Sequence, residues 1–425
     1  MPFDLKSIRA QFPALQRSTI FFDNPGGTQI ARPCLERMSR YLVETNANHG
    51  GEFNTSRDSD ELILQARTAA ADFLNARQPE EIIFGANMTT LTFQISRSLG
   101  RQLQPGDRLV VTNLDHDANI APWLQVAEER GCSVRKVDIH VEDCTLDLSD
   151  FEAALTEKPR LVAFGYASNA VGTINPVEQL TALAHAAGAL VYVDAVQYAP
   201  HGPIDVQQLG CDFLVCSAYK FFGPHLGVLY GRRELLEHLS AYRVRPAPAD
   251  APGKFETGTG NFEGMAGLLG AIEYLEWLGY LYGEDYLELY ADQYSGRRQI
   301  LKQAMSVIRS YEYELSRNLL SMLKGLQGVR VYGLDGVTRL QERVPTVSFT
   351  MEGRHPQEIA RLLAEREINV WNGNFYALAL TERLELEAAG GLVRVGATHY
   401  NTIKEIEQLG VVLEQILHKH SRGGA

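Results

Sequence analysis

Two apolar runs, 189–197 (ALVYVDAVQ) and 211–220 (CDFLVCSAYK), constrain this chain more than any other feature. Unbroken apolar residues over such short lengths predict strands buried on both faces, as in a parallel sheet covered by helices. Each run closes on an ionisable residue where its strand would leave the sheet, Asp194 in the first and Lys220 in the second. Ligands of open α/β sheets sit beyond the carboxyl ends of the strands, so this spacing predicts that Asp194 and Lys220 face one pocket. For either residue taken alone, a strand-end ion pair is the plain alternative.

The rest of the chain fits that frame. Residues 4–16 read as a short helix, 23–27 (DNPGG) as a turn, 33 to about 45 as a helix, and ELILQARTAAADFLN as another. From residue 80 strands and helices alternate: EIIFGA, RLVVT, SVRKVDI and PRLVAFG against LTFQISRSLGRQL, APWLQVAEERG and LSDFEAAL. A strand GVLYGR and an exposed, Pro-rich RPAPADAPGK follow Lys220. Residues 262–327 read as mostly helical, with a long segment from about Glu284. VRVYGL, VPTVSFTME and LVRVGA are strands, while HPQEIARLLAERE and EIEQLGVVLEQILHKH are helices. The expected architecture is α/β, with a large domain over 18–270 and a smaller α+β domain from 1–17 and 271–425.

Charge and cysteine usage exclude several functions. A formal charge of −12 with no basic stripe argues against nucleic-acid or anionic-membrane partners. The first residues lack the basic and apolar regions of a signal peptide, and no apolar run approaches membrane-spanning length, so a cytoplasmic address is expected. Five cysteines without C-x-x-C spacing point to neither a disulfide framework nor a metal site.

Asp194-Ala-Val-Gln197 and Ser217-Ala-Tyr-Lys220-Phe-Phe-Gly-Pro224 resemble the D-x-x-Q and S-x-x-K-x-x-G-P motifs of fold-type I pyridoxal phosphate enzymes. The branch is aminotransferase class V, specifically its cysteine desulfurase and selenocysteine lyase members. The chemistry agrees: an amine condenses with the cofactor's aldehyde, and a carboxylate keeps its pyridine nitrogen protonated. The resemblance implies a fold-type I large domain binding pyridoxal 5'-phosphate, with Lys220 and His116 catalytic. His116 lies in Asp115-His116-Asp117-Ala118-Asn119, similar to the family's E-H-x-A-N, whose histidine stacks on the cofactor ring and moves protons. Asn169 would meet the phenolic oxygen, and Gln197 and Ser217 would make further cofactor contacts.

The phosphate would take the helix start at Met88 and Thr89, although Thr89 or Thr90 could instead cap that helix. Tyr219 stands where desulfurases have a phosphate-contacting histidine, and it keeps one hydrogen-bond donor. Thr259, in Phe-Glu-Thr-Gly-Thr-Gly-Asn, would reach the phosphate of a neighbouring subunit, which implies a homodimer with active sites at the interface.

On the substrate side, the resemblance implies that Arg394, in Val-Arg-Val-Gly-Ala-Thr-His-Tyr-Asn-Thr, grips the substrate carboxylate. Asn24 and Asn374 are placed beside it, with a structural turn an equal alternative for Asn24. His49 is expected near the cofactor, often the partner subunit's, against a merely solvated loop histidine.

The pattern breaks at 371–376 (WNGNFY). Desulfurating relatives carry R-x-G-x-x-C there, and this chain has Trp371 and Tyr376. A phenol cannot accept sulfur and be recycled by thiols, so a persulfide route is in doubt. The expected activity is a carbon–sulfur lyase acting by β-elimination on a small amino acid; the alternatives are an epimerase of the isopenicillin N type or an aminotransferase. A catalytically dead scaffold is disfavoured by the complete set Asp194, Gln197, Lys220, His116 and Arg394. Trp371, standing where those relatives carry positive charge, points to a larger or more apolar substrate side chain.

Overall fold

The computed structural model describes residues 3–421, so both extremities of the expected small domain lie outside the described residues. The strand β1 (Ile20–Phe21) precedes the seven strands of a large sheet: β2 (Ile82–Gly85), β3 (Arg108–Thr112), β4 (Ser133–Val137), β5 (Leu161–Gly165), β6 (Leu190–Asp194), β7 (Phe213–Ser217) and β8 (Gly227–Gly231). Their spatial order is β2-β8-β7-β6-β5-β3-β4. Pairing is parallel from β7 through β4, and β8 runs antiparallel to both of its neighbours.

The face that each side chain enters alternates along these strands with the period of two that a pleated strand imposes. Val162, Phe164, Val191, Val193 and Leu214 enter one core cluster. Their sequence neighbours Leu161, Ala163, Tyr192, Phe213 and Val215 enter the cluster on the other face. Two covered faces leave no polar alternation, which is why the runs read as continuously apolar.

The smaller sheet contains β9 (Val329–Tyr332), β10 (Thr346–Met351), β12 (Trp371–Gly373) and β13 (Leu392–Gly396) in the order β12-β13-β10-β9, all antiparallel. A separate pair joins β11 (Ile368–Asn369) to β1 in parallel register. The two- and three-residue strands β11 and β12 are too short to carry a periodic signal and are not anticipated from the sequence.

Core packing does not follow the chain order of the two sheets. Ile8 and Phe12 belong to the core of the large sheet, whereas Ile20 and Phe22 pack with the small one. The helix Phe262–Tyr282 and the first half of Gly296–Gly325, through Leu301 and Ile308, also join the large core. Only from Leu315 onward does that long helix serve the small domain. It starts at Gly296 rather than near Glu284, with two short helical turns over 284–290 before it. Among the described residues, no helix is long and apolar enough to cross a membrane.

Candidate active site

The carboxyl ends of β5, β6 and β7 open onto a cavity of about 640 Å³. β6 delivers Asp194 at its last residue, and Lys220 follows β7 on the single turn Ala218–Lys220. Both line the cavity. Burial, then the nearby Arg394 charge, pushes the Lys220 amine down to about 7 against the pull of Asp194. Its Nζ donates to the Pro25 carbonyl and lies 5.1 Å from the centre of the Tyr219 ring. Burial raises the Asp194 carboxyl to about 6, opposed by the Val196 N–H, which donates to its Oδ1 at 2.9 Å, and by Lys220.

His116 and Asp115 come from the turn after β3. Burial and the charges of Lys220 and Arg394 push His116 down to about 4, so the imidazole is neutral. Its Nδ1 accepts the Ala118 N–H at 3.0 Å, which assigns the ring proton to Nε2. Asp115 is buried and raised to about 7, with Thr112 Oγ1 donating to it at 2.5 Å. The sequence places Asp115 only as a replacement for glutamate; its burial in the cavity wall has no sequence signal.

Arg394 leaves β13 from the small domain and completes the cavity from the opposite side. One Nη donates to the Asn169 carbonyl at 2.8 Å, while Nε is buried without a partner. The guanidinium carbon lies 4.2 Å from the centre of the Phe375 ring, a cation–π contact. Burial lowers Arg394 to about 9, against the nearby Asp23 carboxylate. Asp23 is itself raised by burial and has an unpartnered Oδ1.

Met88 and Thr89, the first two residues of the helix Met88–Gly100, also line the cavity. Capping falls to Asn87, whose side chain accepts from the Thr90 N–H while the Thr90 hydroxyl accepts from the Asn87 N–H. Thr89 is thereby left free of capping. Ser217 Oγ accepts the Met88 N–H at 3.0 Å and so fixes where this helix begins. Gln197 donates to Thr346 Oγ1 at 3.0 Å, linking the large domain's cavity wall to β10. Asn169 donates through Nδ2 to the Phe375 carbonyl at 2.8 Å, and its Oδ1 is buried and unpartnered. Tyr219 stacks on His225 with ring centroids 5.0 Å apart.

Four expected residues do not line this cavity, and the first is Ser217, buried behind the helix start with its hydroxyl on the Met88 N–H. Asn24 is turned inward: its Nδ2 donates to the carbonyls of Phe21 and Gly396 and to Asn401 Oδ1, and its Oδ1 accepts the Tyr400 hydroxyl. Every polar atom of that amide is used within the fold, so it acts as a structural junction. His49 is exposed beside Asp60 at 3.5 Å, and Thr259 lies in an exposed loop; neither lines the cavity of its own chain. Asn374 does line it, at the exposed rim, with Oδ1 accepting the Tyr376 N–H at 3.1 Å.

Fold and site together define a fold-type I enzyme dependent on pyridoxal phosphate. The aminotransferase class-V family profile matches residues 20–297 and 298–409, and the chain belongs to that family, in its cysteine desulfurase-like branch. An "aminotransferase-like protein" of Gibberella zeae is 35% identical over 98% of this chain and 99% of its own length. A cysteine desulfurase of Pectobacterium atrosepticum is 31% identical over 98% of both chains. Among solved structures, apo cysteine desulfurase from Thermococcus onnurineus superposes with a TM-score of 0.84 at 28% identity, covering 97% of this chain and 98% of that one.

The residues present fit the cofactor these proteins use. An acid and an amine end neighbouring strands, the first turn of a helix meets the same cavity, and a buried amide oxygen at Asn169 awaits a partner.

Proposed function

We propose that the protein breaks the Cβ–sulfur bond of an amino acid by β-elimination, releasing a thiol or sulfide and, after hydrolysis, pyruvate and ammonia. The observation that carries this reading is the absence of a thiol at the cavity: none of the five cysteines lines it. Burial pushes the Cys34 thiol up to about 12 and Cys144 up to about 11, and raises Cys211 and Cys216 further. These are packing residues, not nucleophiles. A persulfide route needs a sulfur acceptor at the site, whereas elimination needs only a base for the Cα proton and a departing sulfur.

Asp194, Lys220, Asn169 and the Met88–Thr89 helix start would hold pyridoxal phosphate. When bound, that group offers an aldehyde to the substrate amine and a ring that accepts the electron pair left at Cα. Asp194 is ionised above pH of about 6 and supplies the negative partner for a protonated ring nitrogen. Lys220, poised near neutrality, takes the Cα proton. Arg394 offers its free Nε and remaining Nη donors to the substrate carboxylate. Neutral His116 donates from Nε2.

We also propose a homodimer in which exposed His49 and Thr259 serve the partner's cavity, and a cytoplasmic address, which five unpaired cysteines suit. Sedimentation tests the first.

The test of the reaction is incubation of the cofactor-loaded protein with L-cysteine, L-cystine and a panel of Cβ-substituted amino acids. Sulfide or thiol together with pyruvate supports elimination. Alanine with sulfide or persulfide would replace it with desulfuration; inversion with loss of Cα deuterium, with epimerisation; a keto acid that retains its side chain, with transamination.

A further inference from the structure

Trp371 and Arg394 are directly opposite one another across β12 and β13, a registered antiparallel pair. Opposed residues in such a pair project from the same face of the sheet with Cβ atoms roughly 5 Å apart. Both side chains line the cavity, so the indole and the guanidinium belong to one wall of it. The indole is also held from below. A Cβ placed on Gly26 would come within 2.2 Å of Trp371 Nε1, so only glycine lets the ring lie against the backbone there. Phe375 covers Arg394 from another side, and Tyr376 extends the aromatic rim with its ring against His116.

Charge is distributed to match. Lys220 and Arg394 are the only Lys or Arg side chains lining the cavity among the described residues, while Asp115, Asp194 and Glu387 are acidic. Arg394 takes the substrate carboxylate and Lys220 the reacting carbon, so no cation remains for an anionic side chain. The wall that carries Arg394 is aromatic, and its Trp371 indole is half exposed to solvent.

We propose that the site selects α-amino acids with a bulky apolar, aromatic or thioether side chain, which lies against the Trp371 indole. This rests on the reading of the cavity as an amino-acid site with Arg394 as the carboxylate anchor. Joined to elimination, it names the substrate class as S-alkyl or S-aryl cysteines, whose leaving thiol departs along the aromatic wall. Free cysteine, with no group to bury, is the poorer substrate.

Analogues carrying a methyl group in place of the Cα hydrogen bind without losing a proton, so their affinity is read without turnover. Calorimetric titration of the cofactor-loaded protein with α-methyl-L-phenylalanine, α-methyl-L-serine and α-methyl-L-aspartate is the test. The phenylalanine analogue is expected to bind at least about tenfold more tightly than the other two, the scale on which a hydrophobic pocket discriminates. Trp371→Ala should erase that ratio, and Trp371→Phe should keep most of it. Since the readout is a ratio within each variant, a reduced fraction of folded protein does not imitate the effect. Equal binding of the three analogues, or a preference untouched by Trp371→Ala, overturns the selection while leaving the amino-acid site standing. Failure of all three to bind overturns the amino-acid reading and this inference together.

Discussion

Tyr376 stacks on His116, with ring centroids 5.4 Å apart and planes 25° from parallel, and the Tyr376 carbonyl accepts the Asp117 N–H at 2.7 Å. Tyr376 is thus bound by its ring and its backbone to the turn that carries His116. Phe375 and Tyr376 both hold positive φ, at 56° and 61°, a conformation the two carbonyl contacts to Asn169 and Asp117 stabilise. Burial is the leading reason that His116 stays neutral. Tyr376→Ala uncovers the ring, so the His116 pKa should climb from about 4 toward its ordinary 6.5, read by NMR titration of the imidazole. An unmoved titration would show that the tyrosine does not shield it.

Asn24 joins three parts of the chain: its own turn, the end of β13 and the Tyr400–Asn401 segment. Asn24→Ala takes the acceptor from the buried Tyr400 hydroxyl proton and a donor from the Gly396 carbonyl, while the Phe21 carbonyl keeps Asn401. The expected loss is about 2–4 kcal/mol of stability by urea unfolding, following the cost of unsatisfied buried polar groups. A variant that keeps wild-type stability but loses substrate affinity would return Asn24 to the substrate side.

Glu256 has a comparable structural task within the motif that contains Thr259. Arg67 grips it with two bonds, of 2.7 and 2.8 Å, and the Phe84 N–H donates to the same carboxylate at 2.8 Å. The motif's glutamate therefore ties the loop to β2, and Thr259 sits beyond that tie. Glu256→Ala leaves the nearly buried Arg67 guanidinium without its partner and should cost about 3 kcal/mol. A double-mutant cycle with Arg67→Met should return a coupling energy of at least about 1 kcal/mol; additive losses would mean the two side chains act independently.

What the sequence discloses follows from how far apart the cooperating residues lie. Asp194 and Lys220 are legible because each ends its own apolar run, and strand ends in such a sheet converge by construction. Asn24 is not: its partners Gly396 and Asn401 lie 372 and 377 residues away, and no local pattern reports them. Phe375 over Arg394 is hidden for the same reason. The division of the long helix between two cores is hidden for another reason. Gly296–Gly325 keeps an unbroken helical apolar stripe whose first half faces one core and second half the other, so periodicity shows no seam. Thr89 and Thr90 look alike as caps in the sequence, and the reciprocal bonds between Asn87 and Thr90 separate them.

Lys220 and Asp194 make the stability of the cofactor-free protein depend on pH in opposite senses. The fold holds Lys220 at about 7 against an ordinary 10.5, so between those values the unfolded chain binds a proton that the fold does not. Stability attributable to Lys220 therefore rises with pH across that window and is lost as pH falls through about 7. Asp194 stands at about 6 against an ordinary 3.8, so the fold holds the extra proton between those values. Its share is present below 3.8 and lost as pH rises through about 6. Lys220→Met removes the charged amine's desolvation and should stabilise the cofactor-free protein most at pH 6, by on the order of 3 kcal/mol, and much less near pH 10. Loss of the bond to the Pro25 carbonyl subtracts a constant from both values and leaves the difference intact. Asp194→Asn should show the reverse trend, its gain over wild type growing as pH climbs from 4 toward 7. Urea unfolding of both variants across pH 4–10 measures this. Curves that run parallel to wild type at every pH would show that neither group titrates in the fold away from its ordinary range, and the poised amine assigned to proton abstraction would lose its support.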